Sequence, residues 1–293
     1  MFVLLYLKTL NFFEASMKKI SILPNFITAF GLACGLFVIF KVNMIEPGAC
    51  CYNVIKTAAL FLLLAALADF IDGAVARILH AESEFGVIFD SLSDAISFGV
   101  APSVLLLKSL SLEQGNFLSF FTATGAMVYS LCGVLRLARF NVKTKEVQND
   151  IIAAKAMKNN FTGLPIPAAA IAAVSINLLF LSPMAQSFIS EQNKVIILDV
   201  FMIILGYLMV SRWKFPSLKA INFKVWSFQL AFFSVILATF TFFGILYYFS
   251  LVLAVLSWGY IFLALTLSIV RLIAGRKSKT LEDFEPEPEE DIE

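Results

Sequence analysis

The chain has 293 residues, 60% of them hydrophobic and 15% charged, with a mean hydropathy of +0.87 and a formal net charge of +1. A water-soluble domain of this length cannot be so apolar, so the sequence reads as an all-α, polytopic membrane helical bundle. The near-zero net charge says little about partners, because the placement of the charges carries more information than their sum, and basic residues that track the membrane surface leave a nucleic-acid partner without support.

In chain order, Met1–Ser16 contains FVLLYLKTLNFF but neither a basic leading region nor a small-residue cleavage site, so it is not read as a signal peptide. Residues 1–22 are expected to form an interfacial amphipathic segment, with Met17 as an alternative start. Apolar runs of about 17 to 25 residues then predict eight spans. These are Leu23–Phe40, Thr57–Leu79, Gly86–Leu107, Phe117–Leu137, Leu164–Leu181, Val195–Val210, Phe228–Tyr248 and Leu251–Ile273. The last two meet at a very short break near Phe249 and Ser250, and the count of eight depends on it; the alternative is one kinked or re-entrant element. The tail 274–293 ends in TLEDFEPEPEEDIE, whose proline and dense acid predict a disordered cytoplasmic segment.

Orientation follows from Lys and Arg. With both termini cytoplasmic, all of the 22 basic residues fall on the inner side except Lys41, Lys56, Lys108 and Lys194. Cys34 and Cys132 lie in spans, and the adjacent pair Cys50 and Cys51 fits no zinc spacing, so the cysteines read as core or incidental thiols. His80 ends the second span and reads as an interfacial cap rather than a ligand. Asp199 near the outer end of the sixth span reads as a polar contact or snorkelling group remote from any site, and Trp258 as lipid-facing or core surface.

The chemistry lies in four acids. Asp69 and Asp72 are spaced i and i+3 on one helix, Asp90 and Asp94 i and i+4 on the next, and the short connection makes these helices antiparallel neighbours. Ionised carboxylates at membrane depth cost several kcal/mol each unless cations compensate them, so four converging acids predict a divalent-metal pocket. Oxygen-only ligands favour Mg²⁺ or Mn²⁺, and four acids suffice for two ions roughly 3.5 to 4 Å apart, an arrangement suited to phosphoryl transfer. One carboxylate would remain to accept a proton from an incoming hydroxyl. Gly73 and Ala76 leave the same helix face without bulk, Arg77 offers a guanidinium to phosphate, and Gly86 permits tight helix contact.

The string Asp69-x-x-Asp72-Gly73-x-x-Ala76-Arg77, eight residues, Gly86-x-x-x-Asp90-x-x-x-Asp94 resembles the complete signature of the CDP-alcohol phosphotransferases. Leu23-Pro24-Asn25-Phe26-Ile27-Thr28, Ser97-Phe98-Gly99-Val100-Ala101-Pro102, Arg136-Leu137-Ala138-Arg139-Phe140-Asn141 and Phe161-Thr162-Gly163-Leu164-Pro165-Ile166-Pro167 resemble the bacterial and archaeal phosphatidylserine synthase branch, and Trp213-Lys214-Phe215-Pro216-Ser217 adds weaker agreement. The resemblance implies a transmembrane catalytic domain over 23–273. Its active-site core would be 23–217, and helices in 228–273 would lie beyond the family's six-span core.

It further implies that Asp69, Asp72 and Asp90 are principal metal ligands, and that Asp94 completes the site and acts as general base. Gly73, Ala76 and Arg77 would line a CDP site, with Asn25 nearby and Asp69 contributing. The implied reaction joins CDP-diacylglycerol and L-serine in a bacterial-type inner membrane, with the active site cytoplasmic and relatives commonly homodimeric. A basic pocket would hold the acceptor, and Arg136, Arg139 and Asn141 are the candidates, against the plain reading of both arginines as positive-inside anchors. Gly163, Pro165 and Pro167 either shape a lipid or acceptor pocket or simply start the fifth helix. Alternative acceptors are glycerol 3-phosphate and an inositol phosphate; the alternative class is a cation or proton transporter, which leaves Gly73, Ala76, Arg77 and Gly86 unexplained.

Overall fold

The computed structural model describes residues 2–45, 52–79, 81, 83–110, 116–147, 160–182, 189–216, 239, 241 and 243–274, with side chains from Ile22 onward except at 145–147, 160, 161, 216 and 271–274. Cys50, Cys51, His80, most of the seventh expected span Phe228–Tyr248 and the acidic tail lie outside the described residues.

Helix α1 spans Phe2–Asn43 and α2 spans Tyr52–Ile78. Next, α3 (Glu84–Asp94) continues through a π turn at Ala95–Val100 into α4 (Ala101–Ser109). After α5 (Phe117–Val147) come a short strand β1 (Asn160–Thr162), α6 (Ile166–Phe180) and α7 (Glu191–Val210). Strand β2 (Lys214–Pro216) pairs antiparallel with β1, and α8 covers Phe249–Ala274.

Among the described residues six helices are long and apolar enough to cross a membrane, with α3 and α4 forming one of them. Three expectations take a more definite form. The interfacial segment 1–22 and the first span form one helix, because α1 runs through Pro24 without a break. The fifth expected span, Leu164–Leu181, shortens to the 15 residues of α6, about 22 Å at 1.5 Å per residue and less than a bilayer core. Protein surrounds it on most sides, with Ala169, Ala170, Ala172, Ala173, Val174 and Leu178 all buried, so lipid does not set its length. Finally, the expected break before the last helix is a one-residue interruption at Tyr248, whose N–H bonds the Gly244 carbonyl at 2.7 Å and whose carbonyl accepts from the Val252 N–H at 3.0 Å.

Small residues decide how closely the site-bearing helices approach. A methyl placed on Gly35 of α1 would overlap Ser97 Oγ and come 2.7 Å from Ser97 Cα, so only glycine admits the π turn there. One turn earlier, Gly31 meets Ala68 of α2.

The π turn has an identifiable cause and an identifiable support. Pro102 lacks an N–H, so the Phe98 carbonyl loses its helical donor, and the Tyr129 hydroxyl of α5 donates to it at 3.0 Å instead. Ser130 Oγ donates to the Gly99 carbonyl at 2.9 Å, while the Ala101 N–H reaches back to the Ile96 carbonyl. The polar row on α5 thus fixes the irregular turn that follows Asp94.

One chain of contacts marks a single end of the bundle: Thr28 to Asp72, Ser91 to Asn141, Arg139 to Val210 and Ser211, and Ser268 to Lys214. Gly163, at φ 77°, lies at that end with its N–H on the Trp213 carbonyl at 2.9 Å. A side chain there would collide with the Met209 carbonyl oxygen, so this position requires glycine on two grounds. The motifs around Phe161 and Trp213, far apart in sequence, are therefore one structure: the β1–β2 ladder.

Candidate active site

Where α1, α2 and α3 meet near this end, a small, partly open cavity is lined by Thr28, Gly31, Ala65, Asp69, Asp72, Asp90, Ser93, Asp94, Ser97 and Phe98. One carboxylate oxygen from each of Asp69, Asp72 and Asp90 lies within 4.8 Å of the others. Asp72 is buried, and Asp90 Oδ1 is buried with no hydrogen-bond partner among the described residues. Hard, all-oxygen donors at this spacing, one of them unsatisfied, suit a divalent cation. Asp94 lines the same cavity outside the cluster of three, so the fourfold ligand set expected from the spacing resolves into three close carboxylates and a fourth beside them.

The i, i+3 and i, i+4 spacings do what helical geometry requires of them, presenting each pair on one face toward the other. Ser83 caps α3, its side chain accepting from the Gly86 N–H at 3.0 Å, which starts the helix at the register that carries Asp90 and Asp94 inward. A Cβ on Gly86 would stand 3.1 Å from Asn25 Oδ1, so Asn25 sits against the start of α3 beside the site. Gly73 and Ala76 are half-buried and Arg77 is exposed; a Cβ on Gly73 would lie 3.7 Å from Arg77 Nη1, which places that guanidinium over the open face of the helix.

The acceptor candidates separate from one another. Arg139 donates through Nη1 to the Val210 carbonyl at 2.8 Å and through Nη2 to the Ser211 carbonyl at 3.3 Å, binding the carbonyl end of α7. That is a structural anchoring role. Asn141 Nδ2 donates to Ser91 Oγ at 2.9 Å, joining α5 to α3 between Asp90 and Asp94. Arg136 is buried, with Nε unpartnered among the described residues, and is not part of the cavity lining but lies within electrostatic reach of Asp94.

Several lining residues escape reasoning on charges alone. Thr28 donates to Asp72 Oδ2 at 2.5 Å, with its own Pro24 carbonyl at 3.1 Å; Ser93 and Ser97 hydroxyls stand 3.5 Å from the Thr28 and Gly31 carbonyls. Thr28 lies in the LPNFIT string, and its spacing from Pro24 was the only local signal. Asp199, expected as a polar contact or a snorkelling group, is the former: fully buried between α5 and α7, accepting from Thr122 Oγ1 at 2.9 Å and absent from the site lining.

Comparison with known proteins bears directly on this geometry. The family model described as CDP-alcohol phosphatidyltransferase matches residues 21–210, which include all four acids. This chain belongs to that family. Among curated relatives, a CDP-diacylglycerol--serine O-phosphatidyltransferase of Helicobacter pylori is 32% identical over 215 residues, 73% of this chain and 80% of the relative. One of the same name from Bacillus subtilis is 33% identical over 197 residues, 67% of this chain and 91% of the relative. An archaetidylserine synthase of Methanothermobacter thermautotrophicus is 36% identical over 173 residues, 57% and 61% of the two chains. As a CDP-alcohol phosphatidyltransferase, the chain places its acidic cavity, α1 from residue 21 onward and all of α2 to α7 within the matched segment; α8 lies beyond it.

Proposed function

We infer that this chain transfers the phosphatidyl group of CDP-diacylglycerol to the hydroxyl of L-serine, giving phosphatidylserine and CMP. The observation that carries the reading is the three-carboxylate cluster with Asp94 beside it, in a chain whose relatives bear the serine transferase name. Asp69, Asp72 and Asp90, completed by Asp94, would hold two divalent ions, Mg²⁺ or Mn²⁺. When bound, such ions neutralise the pyrophosphate and stabilise the leaving oxygen.

The chain's own residues do the rest. Asn25, Gly73, Ala76 and Arg77, with Asp69, form the CDP site: the small residues let the nucleotide approach the helix closely, and Arg77 over that face meets its phosphates. Asp94 accepts the serine hydroxyl proton. The serine oxygen bonds to the lipid-linked phosphorus as the bond to the CMP oxygen breaks, in one displacement without a covalent enzyme intermediate. Of the three acceptor candidates Arg136 is best placed to bind the serine carboxylate, since Arg139 is engaged with α7 and Asn141 with Ser91. The catalytic domain spans 23–273, working as a homodimer in a bacterial-type cytoplasmic membrane with both termini and the site facing the cytoplasm, as the one-sided clustering of basic residues supports.

The deciding experiment incubates purified protein with CDP-diacylglycerol and labelled serine, with and without EDTA, and identifies the lipid product. Labelled phosphatidylserine with stoichiometric CMP, abolished by EDTA, is expected. Turnover only with glycerol 3-phosphate or an inositol phosphate would overturn the choice of acceptor.

A further inference from the structure

Helix α3 carries Asp90 and Asp94, yet little apolar packing holds it. No residue from Glu84 to Leu92 belongs to the hydrophobic core formed by the described residues, and Phe85, Val87, Ile88 and Leu92 are exposed on the outside of the bundle. The Ser83 cap closes on the helix's own first turn and does not orient it against its neighbours. Toward α1, the Ser93 hydroxyl stands 3.5 Å from the Thr28 carbonyl, at the limit of a hydrogen bond. The rotation of α3 therefore depends on polar contacts from elsewhere.

Helix α5 supplies them at two levels. Ser130 Oγ donates to the Gly99 carbonyl at 2.9 Å and the Tyr129 hydroxyl to the Phe98 carbonyl at 3.0 Å, which anchors the π turn beyond Asp94. Eleven residues after Ser130, three helical turns along and so on the same face of α5, Asn141 meets Ser91. Asn141 Nδ2 donates to Ser91 Oγ at 2.9 Å, and Asn141 Oδ1 lies 3.3 Å from the same hydroxyl, which also stands 3.0 Å from the Val87 carbonyl. Ser91 adjoins Asp90 and precedes Asp94 by three residues. One anchor leaves a helix to swivel about it, whereas a second, spaced along the same helix, fixes its rotation.

Carboxylate oxygens stand about 5 to 6 Å from the helix axis, so a rotation of about 20° carries them about 2 Å sideways. That is the length of a whole Mg²⁺–oxygen bond. We propose that Asn141 is a positioning residue for the metal centre: through Ser91 it locks the rotation of α3 that keeps Asp90 facing Asp69 and Asp72, one oxygen from each within 4.8 Å of the others. Both ends of its amide face Ser91, so Asn141 acts through α3 and not on the acceptor. The inference rests on the divalent-metal reading given above and extends it to a residue on α5.

The test uses the purified full chain and reads Mn²⁺ affinity from the EPR signal of the free ion, which needs no turnover. Asn141→Leu and Ser91→Ala each weaken Mn²⁺ binding about tenfold, as loss of a group that orients a metal-binding carboxylate does. The double variant is no weaker than either single one, since both remove the same bond. Ser91→Thr, which keeps the hydroxyl, binds Mn²⁺ like the wild type. Thr122→Val removes a different interhelix bond of α5, the one to Asp199 outside the cavity lining, and leaves Mn²⁺ affinity unchanged. In CMP release at saturating Mn²⁺, the serine KM of Asn141→Leu stays within about twofold of wild type. Wild-type Mn²⁺ affinity in both single variants, full additivity in the double variant, an equal loss in Thr122→Val, or a serine KM raised at saturating Mn²⁺ would each overturn the proposal while leaving the metal site standing. A wild-type chain that binds no Mn²⁺ defeats the metal reading and this one together.

Discussion

Replacing Thr28 by valine tests whether the buried threonine tunes the acidic centre. Valine has nearly the same shape, so the packing of α1 against α2 and α3 is kept and only the hydroxyl is lost. That hydroxyl stands 2.5 Å from Asp72 Oδ2, the length of a charge-assisted O–H···O⁻ bond. Net, such a bond contributes about 1.5 to 3 kcal/mol, because the buried carboxylate has no water to replace the donor. Loss of a partner that orients a metal-binding carboxylate weakens metal affinity about 10- to 100-fold. The assay is CMP release as a function of free Mg²⁺ or Mn²⁺. In Thr28→Val the half-saturating concentration rises by about tenfold or more, and most of kcat returns at saturating cation. Thr28→Ser, which keeps the donor, follows the wild-type curve. Superimposable curves for wild type and Thr28→Val would refute the argument that Thr28 supports the metal-binding geometry through Asp72.

Three further outcomes follow from the same geometry. Asp94→Asn abolishes turnover yet leaves CDP-diacylglycerol binding nearly intact by equilibrium binding; full activity in that variant sinks the general-base assignment. Gly35→Ala drives a methyl into Ser97 of the π turn and costs about 1 to 3 kcal/mol, read as a drop in thermal stability together with lost activity; a neutral substitution would mean that α1 and α3 are not so closely joined. Tyr129→Phe leaves the Phe98 carbonyl buried without its donor, which costs about 1 to 3 kcal/mol and loosens the turn after Asp94, so both melting temperature and kcat fall; stability equal to wild type would remove the π turn's support from the argument.

Helical periodicity makes the pairing of the four acids legible in sequence: spacings of three and four residues can only point one way on a helix, and a short connection can only bring neighbouring helices side by side. The membrane-spanning character is legible for a similar reason, since nothing but lipid tolerates such a composition. What escapes is whatever depends on partners distant along the chain. Thr28 and Asp72 are 44 positions apart and Arg139 and Val210 are 71 apart, and no local pattern records either bond. Both arginines at 136 and 139 look equivalent one turn apart, yet Arg139 caps the carbonyl end of α7 while Arg136 is buried with its Nε unpartnered among the described residues.

By itself, then, the sequence determines a bundle of apolar helices with a cluster of acids on two of them, because hydrophobic run length and helical phase are properties of the local chain. Only the tertiary structure decides that α6 is short and wrapped in protein, that the strings around Phe161 and Trp213 are one ladder, that three carboxylates crowd while Asp94 stands beside them, and that α8 is docked on α6 and β2. Those features arise from close packing and from the satisfaction of buried polar groups, which choose among partners the chain brings together only once it has folded.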